Sequence, residues 1–143
     1  MPRAIKKRDQ ENYHSRRAKW SRKNDVRPIL LAEIDDCVRK GESFAFETTL
    51  AGLAYVGRIH QWRAAGYHVT LFFLHLPDAE TAVARVVERV RQGGHHIDAD
   101  VIRRRFAAGR LNLEHAYKSA VDSWAEFDNV GEEPMLLQWK ENS

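Results

Sequence analysis

A carboxylate and two hydroxyls stand side by side at Glu47, Thr48 and Thr49. They end a short β-prone run over residues 43–49, which we predict to be a strand. Ligands of open parallel sheets bind beyond the carboxyl ends of the strands. A carboxylate beside two hydroxyls at that place can hold a cation or orient a substrate hydroxyl. The same spacing also allows a plain turn, in which Thr48 and Thr49 begin the turn and Glu47 is solvated.

Two sets of arginines form the second candidate group. Arg85, Arg89 and Gln92 fall at i, i+4 and i+7, on one face of a predicted helix. A Gly-Gly-His-His segment follows, and Arg103–Arg105 come next. Arginine sets around a glycine-containing segment suit a mobile lid that closes on phosphates, because the planar guanidinium matches phosphate oxygens. A solvated helix face with i,i+4 pairing to Glu88 is the alternative.

Other kinds of site have no support in the sequence. His95 and His96 beside a lone cysteine, Cys37, lack the ligand spacing of a zinc site. There is no G-x-S-x-G elbow for serine hydrolase chemistry and no G-x-x-x-x-G-K-[ST] phosphate loop. His75 ends a predicted strand, where a lone histidine is more often a hydrogen-bonded structural residue.

Length and charge limit the classes of protein to which the chain can belong. The 143 residues suit one domain, and no apolar run reaches the ~20 residues needed to cross a bilayer. The net charge of +3 is unevenly placed, because residues 1–26 hold nine Lys and Arg against three acidic residues, while the remainder has a net charge of −3. We therefore predict a basic, flexible arm over residues 1–26 and a folded domain over residues 27–143. One cysteine and no signal-like apolar segment favour a cytoplasmic protein.

Hydrophobic periodicity predicts helices alternating with strands. Helices are expected over residues 28–40, 52–65, 78–92, 98–108 and 112–123, and strands over 43–49, 67–76, 124–129 and 135–139. The strand over 67–76 is nearly continuous apolar sequence, which is typical of a strand covered on both faces. The alternation predicts an α/β fold with a mainly parallel sheet.

From about Pro28 onward, the sequence resembles the zeta-toxin-like family of P-loop kinases. The resemblance covers about four-fifths of the chain and rests on an ordered succession of blocks. These blocks are GESFAFETTLAG (41–52), Gly66-Tyr67, LPDAETAVARVVERVRQGGHHI (76–97), VIRRRF (101–106) and the Asp122…Trp124…Asp128-Asn129 pattern.

The resemblance implies a P-loop-type α/β domain that transfers a phosphoryl group from ATP, with Mg²⁺, to a small acceptor. Its best-known members are toxins that phosphorylate UDP-N-acetylglucosamine and are held in check by an antitoxin. The implied residues are catalytic Glu47, Arg89, Arg103 and Arg104, substrate-binding Thr48 and Thr49, and nucleotide-binding Arg85, Arg105, Asp128 and Asn129.

The sequence departs from the family where residues 1–26 replace the first strand and the phosphate loop. Losing the phosphate cradle should remove most catalysis, because phosphoryl transfer depends on positioning and charge stabilisation. Losing an internal strand should also leave exposed strand edges that invite another chain, or force a rearranged sheet. We therefore expect a kinase-like domain that is inactive or impaired alone, and leave open its status as an enzyme.

Two other hypotheses remain open. One is a non-catalytic binding module whose basic arm holds an acidic partner or nucleic acid, since nine basic residues interleaved with Tyr13 and Trp20 suit salt-sensitive binding. The other is half of a split kinase, completed by a partner chain. The expected partners are thus a small phosphoryl acceptor and an antitoxin or sheet-completing chain, with no membrane.

Overall fold

The computed structural model describes residues 27–143. They fall in two compact units, one ending at Glu47 and the other spanning Thr48–Ser143. The predicted basic arm lies outside the described residues, so the boundary at residue 26 stays a prediction. Within the described part, no helix has the length and apolar character needed to cross a membrane.

The first unit contains helix α1, Arg27–Lys40, followed by irregular chain. The helix ends where predicted, because Gly41 adopts the left-handed φ of +66° that favours glycine. Ile34 on its apolar stripe is buried. The strand predicted over residues 43–49 is wrong, since no strand forms there. Its β-prone residues have no hydrogen-bonded neighbouring strand in the described chain, and a strand needs such a neighbour.

The second unit alternates helices and strands. Its elements are α2 (Ala54–Ala64), β1 (Thr70–His75), α3 (Ala79–Arg91), α4 (Ala99–Asn112), a π-helical turn (Leu113–Tyr117), α5 (Lys118–Ala120), β2 (Ser123–Asp128) and β3 (Met135–Glu141). Asp78 caps α3, because its Oδ1 accepts a hydrogen bond of 2.8 Å from the Thr81 backbone N–H. The predicted α/β class is thus confirmed.

The sheet has three strands in the order β1-β2-β3. β1 pairs with β2 in parallel, with Thr70 opposite Ser123 and His75 opposite Asp128. β2 pairs with β3 antiparallel. The sheet is therefore mixed, not mainly parallel as predicted. The reason lies in the connections: helices α3 and α4 carry the chain back for a parallel pair, whereas the short turn after β2 permits only an antiparallel one.

The helices predicted over 98–108 and 112–123 form one continuous helical segment from Ala99 to Ala120. The π-helical turn inserts where Leu113 and Tyr117 are both buried, at 1% and 0% exposure. An extra residue in the helical turn changes which side chains point inward. Side chains of the segment then reach the loop over residues 48–53, as described below.

The prediction that β1 is covered on both faces is wrong. Exposure alternates along the strand, and Phe72 is 64% exposed while Leu74 is 49% exposed. The face that carries Trp124 and Glu126 packs against the helical segment, because Lys118 contacts both residues. The sheet is thus covered by helix on one face.

Candidate functional site

A cleft lies at the carboxyl ends of the parallel strands β1 and β2. It is an open cavity of about 400 Å³. Its lining combines charged and polar side chains with an apolar wall: His75, Leu76, Pro77, Arg110, Glu126, Asp128, Val130, Leu137 and Gln138. The parallel register brings His75 beside Asp128, so the two strand ends open into the same space. This is the edge at which α/β sheets bind ligands.

Glu126 is the charged centre of the cleft wall. Its side chain is only 5% exposed, and its Oε1 lies 2.8 Å from His75 Nε2. Its Oε2 lies 3.1 Å from Lys118 Nζ and accepts a hydrogen bond from Gln138 Nε2. Lys118 is held in turn by Glu114 at 2.6 Å. A buried carboxylate is tolerated only with such partners.

These contacts shift the pKa values of Glu126 and Lys118. Burial alone would raise the pKa of Glu126, but hydrogen bonds from His75, Gln138 and Lys118, with the Lys118 charge, lower it below its usual value. Burial alone would lower the pKa of Lys118, but hydrogen bonds and attraction to Glu114 and Glu126 raise it. Both groups are therefore charged at neutral pH. The carboxylate fixes the His75 ring at the cleft, in the manner by which a carboxylate orients an imidazole.

The residues predicted to bind nucleotide lie partly at this edge. Arg85 on α3 donates a hydrogen bond of 2.5 Å from Nη2 to the Asn129 carbonyl oxygen, and the Asn129 N–H donates to the His75 carbonyl at 2.9 Å. Asp128 lines the cleft, and its Oδ1 accepts from the Val130 N–H at 3.0 Å. The structure therefore brings Arg85, Asp128 and Asn129 together around the end of β2.

Thr48 and Thr49 lie in a loop and not at the end of a strand. Their hydroxyls accept hydrogen bonds from the backbone N–H groups of Leu50 and Ala51, at 3.2 and 3.4 Å. These are local turns of the kind that Ser and Thr often form. Glu47 is an exposed residue of the first unit. The acceptor-site roles of the three residues stay predictions.

The loop over residues 48–53 contacts the helical segment Ala99–Ala120 at three positions along it. The Thr49 carbonyl oxygen sits against Gly109, where a Cβ would overlap it. Asn112 Nδ2 donates to the Leu50 carbonyl at 2.7 Å, and Tyr117 Oη donates to the Gly52 carbonyl at 2.6 Å. Leu50 itself is buried with a φ of +56°. Such left-handed backbone is strained in leucine and persists only when surrounding contacts fix it.

The predicted lid arginines differ in their surroundings. Arg103 is held by two carboxylates, since its guanidinium lies 2.7 Å from Glu80 Oε1 and 2.9 Å from Asp100 Oδ1. Arg89, Arg104 and Arg105 are exposed, and no ion pair to another described residue occupies them. Of the four, Arg103 ties α3 to α4, while the other three guanidiniums face solvent.

Sequence reasoning missed Glu126, Lys118 and Arg110. Arg110 stacks over the Phe106 ring at 4.7 Å and donates from Nη2 to the Leu76 carbonyl at 2.6 Å. For Glu126 a signal existed: it is a lone charge inside the apolar run Trp124–Phe127. Lys118 and Arg110 gave no comparable signal, because a basic residue on a helix most often faces water.

The ATP and Mg²⁺ that the family resemblance implies stay predictions. The hydroxyls of Thr48 and Thr49 are engaged in local turns. Across residues 27–143, no three His, Cys, Asp or Glu side chains are grouped to hold a metal ion.

Comparison with known proteins gives one curated relative. An uncharacterized protein of Haemophilus influenzae is 29% identical to the chain over 69 residues, which are 48% of this chain and 49% of that protein. The chain thus spans about half the length of the curated relative that it matches. No family model matches the chain, and no solved structure matches it.

Proposed function

We propose that this chain is a phosphotransferase-like domain, related to the zeta-toxin kinases, that contacts phosphate-bearing ligands but does not transfer a phosphoryl group alone. The observation that carries the proposal is the cleft where the parallel strands β1 and β2 end. Asp128 lines this cleft, and Arg85 on α3 donates to the carbonyl of the adjacent residue Asn129. The arginine-bearing helices α3 and α4 connect β1 to β2. Parallel strands joined by helices bind ligands at this edge.

The exposed arginines support a phosphate-bearing ligand. Arg89 on α3 and Arg104 and Arg105 on α4 keep their guanidinium donors open to solvent. Guanidinium groups bind phosphate oxygens through paired hydrogen bonds. Arg103 is a weaker candidate for this role, because Glu80 and Asp100 already occupy its donors.

The sequence supports the proposed absence of transfer. No G-x-x-x-x-G-K-[ST] loop is present in the chain, so no such cradle aligns a triphosphate with an acceptor. Phosphoryl transfer depends mainly on that alignment and on charge stabilisation. Exposed arginines supply charge alone, so they favour weak contact with nucleotide and no turnover.

The test combines binding and activity on the full chain. ¹⁵N-labelled protein is titrated with ATP, with and without Mg²⁺, while backbone amide shifts are recorded. Transfer from γ-labelled ATP to UDP-N-acetylglucosamine is measured in parallel. We expect shifts limited to residues 85–105 and 128–130, at millimolar ATP, and no transfer above a protein-free blank.

The control separates a phosphate contact from general basicity. The double variant Arg89→Ala/Arg104→Ala should lose the ATP-dependent shifts. Arg91→Ala should keep them, because Arg91 lines a separate cavity between α3 and α4. Absence of shifts in the wild-type chain would refute the phosphate contact. Measurable transfer would refute the inactive state.

A binding module is the second candidate function. The specific observation in its favour is the exposed apolar face of the sheet, where Phe72 and Trp139 are each 64% exposed. Contiguous exposed apolar patches of more than a few hundred Å² mark interaction surfaces in soluble proteins.

A further inference from the structure

The His75 ring is held from two sides at the end of β1. Its Nε2 lies 2.8 Å from Glu126 Oε1, and the Phe73 ring meets it edge to face, with centroids 4.6 Å apart. The His75 side chain is 24% exposed and lines the cleft at the ends of β1 and β2. The imidazole therefore has a fixed orientation at a surface that a ligand can reach.

The partners of Glu126 decide which nitrogen of His75 carries the proton. Glu126 Oε2 faces two hydrogen-bond donors, Lys118 Nζ at 3.1 Å and Gln138 Nε2. Beside an ammonium group and a second donor the carboxyl group is ionised, so Oε1 also accepts. In a neutral imidazole one nitrogen donates and the other accepts. The hydrogen-bond network thus places the proton on Nε2 and leaves Nδ1 with its lone pair.

This second nitrogen is open to a ligand. Across residues 27–143, the His75 ring makes no hydrogen bond other than the one to Glu126. An unprotonated ring nitrogen is a good hydrogen-bond acceptor. The His75 ring therefore offers the cleft an acceptor that a ligand hydroxyl can satisfy.

The rest of the cleft favours a neutral ligand with an apolar body. Arg110 and Asp128 contribute one charge of each sign to its lining, and the charge of Glu126 is offset by Lys118. The lining therefore has no net charge that would select an ion. Small-molecule sites combine an apolar wall with a few placed polar groups, and the apolar wall here consists of Leu76, Pro77, Val130 and Leu137.

We propose that this cleft binds a small neutral molecule with an apolar body and a hydroxyl group, and that the hydroxyl donates a hydrogen bond to His75 Nδ1. The apolar body lies against the wall that contains Val130 and Leu137. Glu126 is the positioning residue of the site, because it fixes both the orientation and the tautomer of His75.

The hydroxyl site goes beyond the phosphate contact proposed above. None of the arginines named for that contact lines the cleft: Arg85, Arg89, Arg104 and Arg105. The two sites can therefore be tested with different probes, and the failure of one leaves the other standing.

The first experiment determines the tautomer of His75. Long-range ¹H–¹⁵N spectra of the ¹⁵N-labelled full chain are recorded at mildly alkaline pH, where imidazole rings are neutral. The wild type should carry the proton on Nε2. In Glu126→Gln the amide oxygen should face the donors Lys118 and Gln138, so the amide NH₂ faces His75 Nε2 and the proton should move to Nδ1.

The wild-type spectrum alone can overturn the proposal, by showing the proton on Nδ1. Circular dichroism checks that Glu126→Gln keeps the fold. A folded variant that retains the wild-type tautomer would remove Glu126 from its positioning role and overturn that part of the proposal. The signal of His60, which is exposed on α2, serves as the control and should be the same in both proteins.

The second experiment uses phenol as the probe and anisole, its methyl ether, as the matched control. Both have the same apolar ring, but only phenol has a hydroxyl to donate. Phenol should shift the amide signals of His75, Val130 and Leu137, and anisole should bind about fivefold more weakly, the usual net effect of one lost hydrogen bond. In Glu126→Gln the preference for phenol should disappear, because Nδ1 then carries a proton.

Three results of the phenol titration would overturn the proposal. They are the absence of any shift, equal binding of phenol and anisole to the wild type, and shifts confined to the separate apolar cavity between α3 and α4. That cavity is lined by Val83, Val86 and Ile97, so its signals are distinct from those of the cleft.

Discussion

Lys118 Nζ lies 3.1 Å from Glu126 Oε2, and both side chains are largely removed from solvent, with 14% and 5% exposure. The pair joins the helical segment to the middle of β2 at the wall of the cleft. Its geometry fixes His75 as well, because the other carboxylate oxygen holds the imidazole. Stability and cleft shape therefore depend on the same ion pair.

Replacement of the lysine should destabilise the fold. Lys118→Met removes the main countercharge of a buried carboxylate, and breaking such a pair costs about 3 kcal/mol. Urea unfolding followed by far-ultraviolet circular dichroism measures the loss. Lys140→Met, on the exposed strand β3, is the control and should change the free energy of unfolding little. Equal effects of the two substitutions would show that Lys118 does not stabilise Glu126.

The free energy of unfolding should fall at acid pH partly through Glu126. The pKa of Glu126 is lowered in the folded state, so its contribution is present above the unfolded value of about 4.3 and is lost as pH falls through the folded pKa. The groups around its carboxylate are His75, Lys118 and Gln138. Denaturant titrations from pH 7 to pH 3 should show a steeper loss for the wild type than for Glu126→Gln. Parallel curves would contradict this assignment.

Two glycine substitutions should have opposite effects. Gly109→Ala places a Cβ on the Thr49 carbonyl oxygen, so the loop over residues 48–53 must move, at a cost of about 1–3 kcal/mol. Gly57→Ala in α2 meets no atom and should stabilise the helix by about 0.5–1 kcal/mol. Thermal and urea unfolding of both variants check the signs. Destabilisation by Gly57→Ala, or tolerance of Gly109→Ala, would contradict the described packing.

Removal of the Tyr117 hydroxyl should loosen the loop over residues 48–53. Tyr117 is fully buried, and its Oη donates to the Gly52 carbonyl. Tyr117→Phe keeps the ring but leaves that carbonyl without its donor, which should cost about 1–2 kcal/mol. Hydrogen exchange should rise in residues 50–53 more than in the strands. A uniform rise across the unit would instead indicate general destabilisation.

Much of the fold was predictable because local patterns fix local structure. The helices predicted over residues 28–40 and 78–92 and the strand predicted over residues 135–139 each depend on residues close in sequence, and the structure has all three elements. The errors concern relations between distant residues. The run over residues 43–49 has strand-forming residues but no neighbouring strand among the described residues, and the helices around residue 112 merge through a π-helical turn that brings Leu113 and Tyr117 inside.

In the candidate site too, features that depend on nearby residues were predictable and contacts between distant residues were not. The family resemblance implied nucleotide-binding roles for Arg85, Asp128 and Asn129, which stay predictions, and the structure places Arg85 against the Asn129 carbonyl. The cleft partners of His75 were not predicted, because Glu126 and Lys118 lie 51 and 43 positions away along the chain. No periodicity relates residues at such separations.

The sequence by itself determined the α/β class, the lack of a phosphate loop and the uneven distribution of charge. Each of these is a property of residue types or of short-range periodicity. Only the tertiary structure decided which charges are buried together and which apolar residues remain exposed. Phe72 and Leu74 have the composition of a core strand, yet burial depends on the elements that pack against a face, and no element within residues 48–143 buries these two side chains.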